Sequence, residues 1–277
     1  MNSMDRGIAS VSKLKPLSAS TKGIYRYGQQ VNSHDLVKVL ATLTMVIDHV
    51  GVYFMHDNIW MRLIGRMAAP LFFYLVGYSG SYKFKYQILA LGIALCLIEF
   101  FVSSNSSLIW KILPLNILIN FVLIKAILNR FDPSKMRSGS LILLLAILLL
   151  IGNQTRTYIE FGTLGLSIAI GSRLINKHHP FGKPWIIIST TAHFLLQMNS
   201  FLFIRPDVPI QIIPMAILLL ASIFAFSLLL FLKYELRTFT VNPTWLRAIV
   251  IYVSRYSLQI YFFHLAAFKI VHSIILM

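Results

Sequence analysis

The chain has 277 residues, of which 57% are hydrophobic and 12% charged, and its mean hydropathy is +0.74. A soluble domain carries about 25% charged and about 45–50% apolar residues, so the composition excludes an ordinary soluble enzyme and indicates a multi-pass membrane protein, all-α, built as one helical bundle in a lipid bilayer. The net charge of +16 does not point to nucleic acid here, because the basic residues fall in short links between apolar runs, as membrane topology demands. Cys96 is the single cysteine, which leaves no intramolecular disulfide and no cysteine metal cluster.

In chain order, residues 1–33 form a polar, basic tail with Arg6, Lys13, Lys15, Lys22 and Arg26. It has no apolar core of its own, so it reads as a cytoplasmic tail rather than a cleavable signal. Residues 34–277 then read as a single transmembrane domain. Nine apolar segments follow one another, at about 35–55, 60–79, 86–103, 108–128, 139–153, 158–175, 185–204, 209–232 and 256–276. Most have the length that a spanning helix needs; 139–153 is the shortest, suggesting a tilted or re-entrant element. Residues 241–255, with Trp245, Arg247, Tyr252 and Arg255 among aliphatics, have the mixture expected of an interfacial helix. Every second link is strongly basic: Lys83 and Lys85, then Lys125, Arg130, Lys135 and Arg137, then Arg173, Lys177 and Lys183, then Lys233, Arg237, Arg247 and Arg255. The intervening links carry a lone Arg62, a lone Lys111, or cancelling pairs, Arg156 with Glu160 and Arg205 with Asp207. That alternation puts the N-terminus inside and, with nine spans, the C-terminus outside.

Asp48 and His49 stand side by side in the apolar run from Leu36 to Met55. A central Asp costs about 2.5–3.5 kcal/mol on insertion scales, so a chain that keeps it pairs it or uses it in chemistry. Met45, Asp48, His49, Val52 and His56 follow the spacing of one helical face. Arg62 and Arg66 lie four apart at the start of the next segment, across a short turn, so Asp48 or His49 can face either of them. Gly65 between them permits close helix approach, and Pro70 can kink the helix. One reading of this group is an Asp–Arg ion pair that holds two helices together. The other is chemical: a carboxylate that orients an imidazole makes a general base, and arginine suits phosphate or carboxylate recognition.

Further polar residues enter the apolar segments. Glu99 falls late in the third. Asn116 and Asn120 fall in the fourth, where interhelical hydrogen bonding is the simpler account. His193 and Gln197, four apart in the seventh, read as hydrogen-bonded packing, and Gly162 and Gly165 as packing glycines. His264 in the last segment is either structural or turned toward the polar site. His178 and His179 beside Pro180 read as a solvated loop, and no motif supports a metal site, a metalloprotease or a P-loop.

Asp35-Leu36-Val37-Lys38, Met45-Val46-Ile47-Asp48-His49, Trp60-Met61, Leu63-Ile64-Gly65-Arg66 and Ala69-Pro70-Leu71-Phe72 resemble the N-terminal signature of the TraX family, integral-membrane acetylases of conjugative pilin. Asn116-Ile117-Leu118, the Gly162 and Gly165 helix, and Tyr261 with His264-Leu265 follow in the family's order. Ala68-Ala69 departs from it, standing where a single small residue before proline is expected, and the basic tail has no counterpart. The resemblance implies a bacterial inner-membrane enzyme that moves an acetyl group from acetyl-CoA, its cosubstrate, to an acceptor amine, with a small membrane protein such as pilin as acceptor. It is similar, more broadly, to membrane acyltransferases in which a polar residue and a histidine near the outer end of the first helix carry the reaction. On that basis Asp48, His49 and, by the looser similarity, His56 are the candidate catalytic residues. Arg62, Arg66, Asn116 and His264 are the candidate acetyl-CoA contacts. The rival expectation is a proton-coupled transporter with Asp48 and His49 as relay; a non-enzymatic scaffold is a third.

Overall fold

A computed structural model describes residues 30–56, 58–80, 86–102, 113–204 and 210–276. Residues 1–29 of the basic tail lie outside these, as do Asp57, Lys83, Lys85, Lys111, Arg205 and Asp207, so the expectations placed on them are not addressed by the fold. The described chain is helical almost throughout. Among the described residues β1 (Val31–Asn32) pairs antiparallel with β2 (Thr238–Phe239), Val31 opposite Phe239, and Leu115 forms an isolated parallel bridge with Ile159.

Helix α1 (Ser33–Tyr53) begins at a capping box: the Asn32 side chain accepts from the Asp35 amide and the Asp35 carboxylate accepts from the Asn32 amide. This satisfies two of the amides that a helix start leaves unpaired. The second Asp35 oxygen accepts from Ser254 Oγ at 2.5 Å, so one buried carboxylate both starts α1 and ties it to the last helix. The second apolar segment is not one helix. It divides into α2 (Ile59–Gly65) and α3 (Ala68–Tyr78), and the expected kink falls at Arg66–Met67 rather than at Pro70 itself. Proline has no amide proton and its ring crowds the carbonyl four residues earlier, that of Arg66, so the ladder opens there.

Helices α4 (Tyr86–Val102) and α5 (Ile117–Arg130) come next, then α6 (Ser138–Leu150), the short α7 (Gly152–Thr155), α8 (Gly162–Asn176), α9 (Gly182–Ile204), α10 (Ile213–Leu232) and α11 (Thr244–Leu276). Helix α3 packs closely on α8, because Gly77 lies on the backbone of Ala169, where a Cβ would collide. Ser172 Oγ donates to Tyr74 O at 2.5 Å, and Asn176 Nδ2 donates to Tyr78 O. The Tyr74 ring stacks on Phe231 of α10, centroids 4.3 Å apart. Helix α1 lies against α2, α3 and α11.

Among the described residues four helical stretches are long and apolar enough to cross a membrane by length and composition: Ser33–Tyr53, Ile59–Tyr78, Ile210–Leu232 and Thr244–Ile275. Helices α4 and α6 are apolar but shorter. At 1.5 Å per residue, the 13 residues of α6 reach roughly 20 Å, less than a hydrocarbon core of about 30 Å. The all-α membrane architecture is therefore present, while the count of nine spans and the inside N-terminus are not established by these helices. Over the segment 241–255, expected as a helix distinct from the last apolar segment, a helix runs from Thr244 and parts from the last segment at a kink, the non-helical Tyr256 (φ −105°, ψ 16°), so that α11 is two helices joined there.

Candidate active site

Asp48 and His49 lie about three-quarters of the way along α1 and line a cavity of about 330 Å³. Its walls come from α1, α2, α3, α4, α5 and α11 and from the links before α5 and α8. Gly65 makes the approach of α1 and α2 possible, because a Cβ there would occupy the position of the Asp48 side chain. Arg62 Nη1 donates to Asp48 Oδ2 at 2.9 Å, and both side chains are mostly buried. Asp48 Oδ1 is buried without a partner. The expected Asp–Arg pair thus forms, yet it uses only half of the carboxylate.

Asp48 does not orient His49, contrary to expectation. Consecutive residues of a helix point about 100° apart and do not face each other. The partner is His264 of α11, whose Nε2 lies 2.7 Å from His49 Nδ1, while His264 Nδ1 lies 2.5 Å from Ile260 O. A carbonyl oxygen only accepts, so His264 carries its proton on Nδ1 and presents Nε2 as acceptor. His49 therefore carries its own proton on Nδ1, and its Nε2 keeps a lone pair. Among the described residues nothing hydrogen-bonds that nitrogen. His264, which the sequence assigned to cofactor contact, instead sets the tautomer of His49. The rings of Tyr261 and Tyr53, at 5.9 and 6.5 Å, flank the imidazole.

The remaining assignments separate. Arg66 lines the cavity; its amide closes the end of α2 on Arg62 O and Leu63 O, and its side chain makes no hydrogen bond or ion pair among the described residues. Asn116 also lines it, but its side chain is committed elsewhere. Its oxygen caps α5 by accepting from the amides of Leu118 and Ile119, and its nitrogen donates to Gly92 O and faces Cys96 Sγ. It joins α5 to α4 and has no hydrogen-bonding group left for a ligand. His56 is not in the cavity. Helix α1 ends at Tyr53, and His56 sits in the turn at φ 48°, exposed; the shared face required a helix that does not extend so far. Among the described residues no cluster of three metal-binding side chains occurs.

Three contributors to the cavity were not singled out from the sequence. Glu160, read there as cancelling Arg156, lines the wall: its Oε2 accepts from the Ile117 amide at 2.9 Å, and its carbonyl accepts from Asn120 Nδ2 at 2.7 Å. Lys269 of α11 pairs with Glu99 of α4, and both line the cavity. Lys269 carried the same signal as Asp48, a charge inside an apolar segment. Phe161, at φ 65°, is held between α7 and α8 by Gly162, where a Cβ would strike Thr155 and the Arg156 amide. The site is thus a polar chamber among apolar helices, with a neutral imidazole base, a half-used carboxylate and an arginine open to the interior.

Against known families, residues 33–272 match the TraX protein family. The chain belongs to the TraX family. It is a membrane protein of a family associated with pilin acetylation. An uncharacterised protein of Rickettsia prowazekii (strain Madrid E) is 28% identical over 243 residues, covering 83% of this chain and 90% of that protein. No solved structure matches.

Proposed function

We propose that this TraX protein is an acetyltransferase of the bacterial inner membrane that transfers the acetyl group of acetyl-CoA to an acceptor amine, the N-terminus of a pilin subunit of a conjugative secretion system. The observation that carries the reading is the hydrogen-bonded chain Ile260–His264–His49, which leaves His49 Nε2 as a base beside an arginine in the cavity. The acceptor nitrogen attacks the thioester carbonyl carbon as His49 Nε2 takes its proton. The C–S bond then breaks, and the thiolate leaves as thiol with a proton returned by His49. A route through acetylated His49 uses the same atoms in two steps. Asp48 Oδ1, buried and unpartnered, is the acceptor for an N–H of the incoming amine. Arg66 is the donor for the oxyanion or for the polar oxygens of the pantetheine arm. A cavity of about 330 Å³ is at the lower end of ligand pockets, roughly 300–1,000 Å³, and fits the acetylated end of the cosubstrate rather than its nucleotide. With the N-terminus inside, the chamber lies in the outer half of the bilayer, on the side where a processed pilin presents its new amine.

The test is mass spectrometry of pilin N-termini in cells with and without this protein, together with the purified protein, acetyl-CoA and a pilin N-terminal peptide. Acetylation should require the protein and be lost in His49→Ala. A His49→Ala protein that acetylates at the wild-type rate refutes the assignment. Proton movement into vesicles without acetyl-CoA would favour the transporter.

A further inference from the structure

Helix α9 carries buried polar side chains that the site described above does not use. Thr190, His193 and Gln197 are 0, 1 and 4% exposed, and their spacing places them along one face of the helix. Thr190 Oγ1, His193 Nε2 and Gln197 Oε1 are all buried without a hydrogen-bond partner. Ser227 Oγ, fully buried on α10, is in the same condition, and α10 packs on α9. The hydrogen-bonded packing expected for His193 and Gln197 is thus not what holds them. Each unpaired buried polar atom costs about 1–3 kcal/mol, and natural interiors avoid that cost by bonding such atoms to ordered water. Three on one helical stripe is a pattern rather than an accident of one rotamer.

The stripe meets the reaction cavity at one place. The His193 ring packs on Phe161 at 5.9 Å between centroids, and Phe161 lines the cavity on its other side. Phe161 is held there by a left-handed backbone (φ 65°) and by Phe73, 5.7 Å away. An aromatic residue rarely adopts such a φ, and strain of this kind gathers at functional positions. The charged groups within electrostatic reach of His193 are Arg156 and Arg66, both cationic, and Arg66 itself lines the cavity.

We propose that the α9 stripe holds a chain of water molecules that joins the reaction cavity past Phe161 and carries away the proton that acetyl transfer releases. This rests on the acetyltransferase reading for its proton, though not for its water. The balance is R–NH3+ plus CH3C(O)–SR′ giving R–NHC(O)CH3, R′–SH and H+. A new C–N bond replaces the C–S bond. One ammonium proton passes through His49 to the thiol, and the other must leave the ammonium before its nitrogen can attack; His49 returns only the first, so the second needs an exit. Thr190, His193 and Gln197 each both donate and accept or do so through water, which is the chemistry of a relay among apolar helices.

Hydration is tested without activity, by hydroxyl-radical footprinting of the full chain in nanodiscs during X-ray pulses, with labelling read by mass spectrometry at Phe161, Phe194 and Tyr74. Phe194 is buried on the stripe and Tyr74 is buried in the α3–α10 packing. Phe161 borders the reaction cavity and labels whether or not the stripe is wet, so the stripe is read at Phe194, which should label at least about fivefold faster than Tyr74 because ordered water sits beside it. In a Thr190→Val, His193→Phe, Gln197→Leu triple variant the Phe194 difference should vanish, with the melting transition retained. Labelling of Phe194 at the Tyr74 level in the wild type overturns the proposal. The proton's route is tested by single-turnover acetylation. His193→Gln, which still bonds water, should keep the rate, whereas His193→Phe should slow it about tenfold with KM unchanged. Equal rates in wild type and His193→Phe overturn the relay. Absence of any acetylation by the wild type, with Phe194 still labelled, fails the enzymatic reading and leaves the water chain standing.

Discussion

Gly65→Ala is the sharpest probe of how α1 and α2 build the site. A Cβ at Gly65 would overlap Cβ, Cγ and Oδ1 of Asp48. Asp48 Cβ is fixed by the α1 backbone, so no change of rotamer relieves the overlap. The two helices must part by roughly 1 Å to restore ordinary contact between carbons. The Arg62 Nη1–Asp48 Oδ2 bond, now 2.9 Å, then stretches past the limit of about 3.5 Å. Overpacking of this kind costs about 1–3 kcal/mol, and a displacement of about 1 Å at a reacting group costs up to about 100-fold in rate. The expected outcome is a lower melting temperature in detergent, read by intrinsic fluorescence, and pilin-peptide acetylation about 100-fold slower. A Gly65→Ala protein with wild-type melting and wild-type rate would refute the close approach itself. A protein that melts early but acetylates normally would show that the reaction does not depend on where α2 holds Asp48.

Four other outcomes follow from the same contacts. His264→Phe removes the acceptor that holds His49 in its tautomer, so kcat should fall by about 10²–10⁴ with little change in KM, measured by steady-state acetylation, whereas His56→Ala should leave the rate unaltered. Asp48→Asn should lower the melting temperature, because it replaces the charge-assisted bond from Arg62 to the Asp48 carboxylate, a kind of bond worth about 1.5–3 kcal/mol, with one to a neutral amide; a thermal melt equal to the wild type's would refute it. Asn116→Ala should cost about 0.5–2 kcal/mol as a lost helix cap, seen in melting, with no separate loss of acetyl-CoA affinity by titration. Gly77→Ala places a Cβ on the Ala169 backbone, which cannot yield as a side chain can, so the protein should fail to accumulate in membranes on an immunoblot.

The sequence was most legible where a residue violated its surroundings. Asp48, His49 and Glu99 stood out as ionisable groups in apolar runs, and each lines the cavity. Arg62 and Arg66 were found by their spacing, and the ion pair to Asp48 formed as one of the two expected readings. Signals that depended on helix length were less secure. The face shared by Asp48 and His56 failed because α1 ends at Tyr53, and the kink assigned to Pro70 moved back one turn to the carbonyl that the proline crowds. Asn116 read as a residue inside a helix and proved to be its cap.

Composition and hydropathy alone determined an all-α protein for a membrane, because a bilayer leaves a chain few ways to satisfy its backbone other than helices. The motifs from Asp35 to Phe72 around Asp48-His49 carried the resemblance to the TraX family, which the match over residues 33–272 bears out. What lies opposite His49 was decided only by tertiary structure. His264 is 215 positions away, and no local period links two residues that meet because α1 and α11 pack side by side. The same holds for Glu99 with Lys269 and for Phe161 with His193. A helix's own spacing says which side chains share a face, whereas the partner across the interface depends on how the helices pack, and that is set by every small residue along them at once.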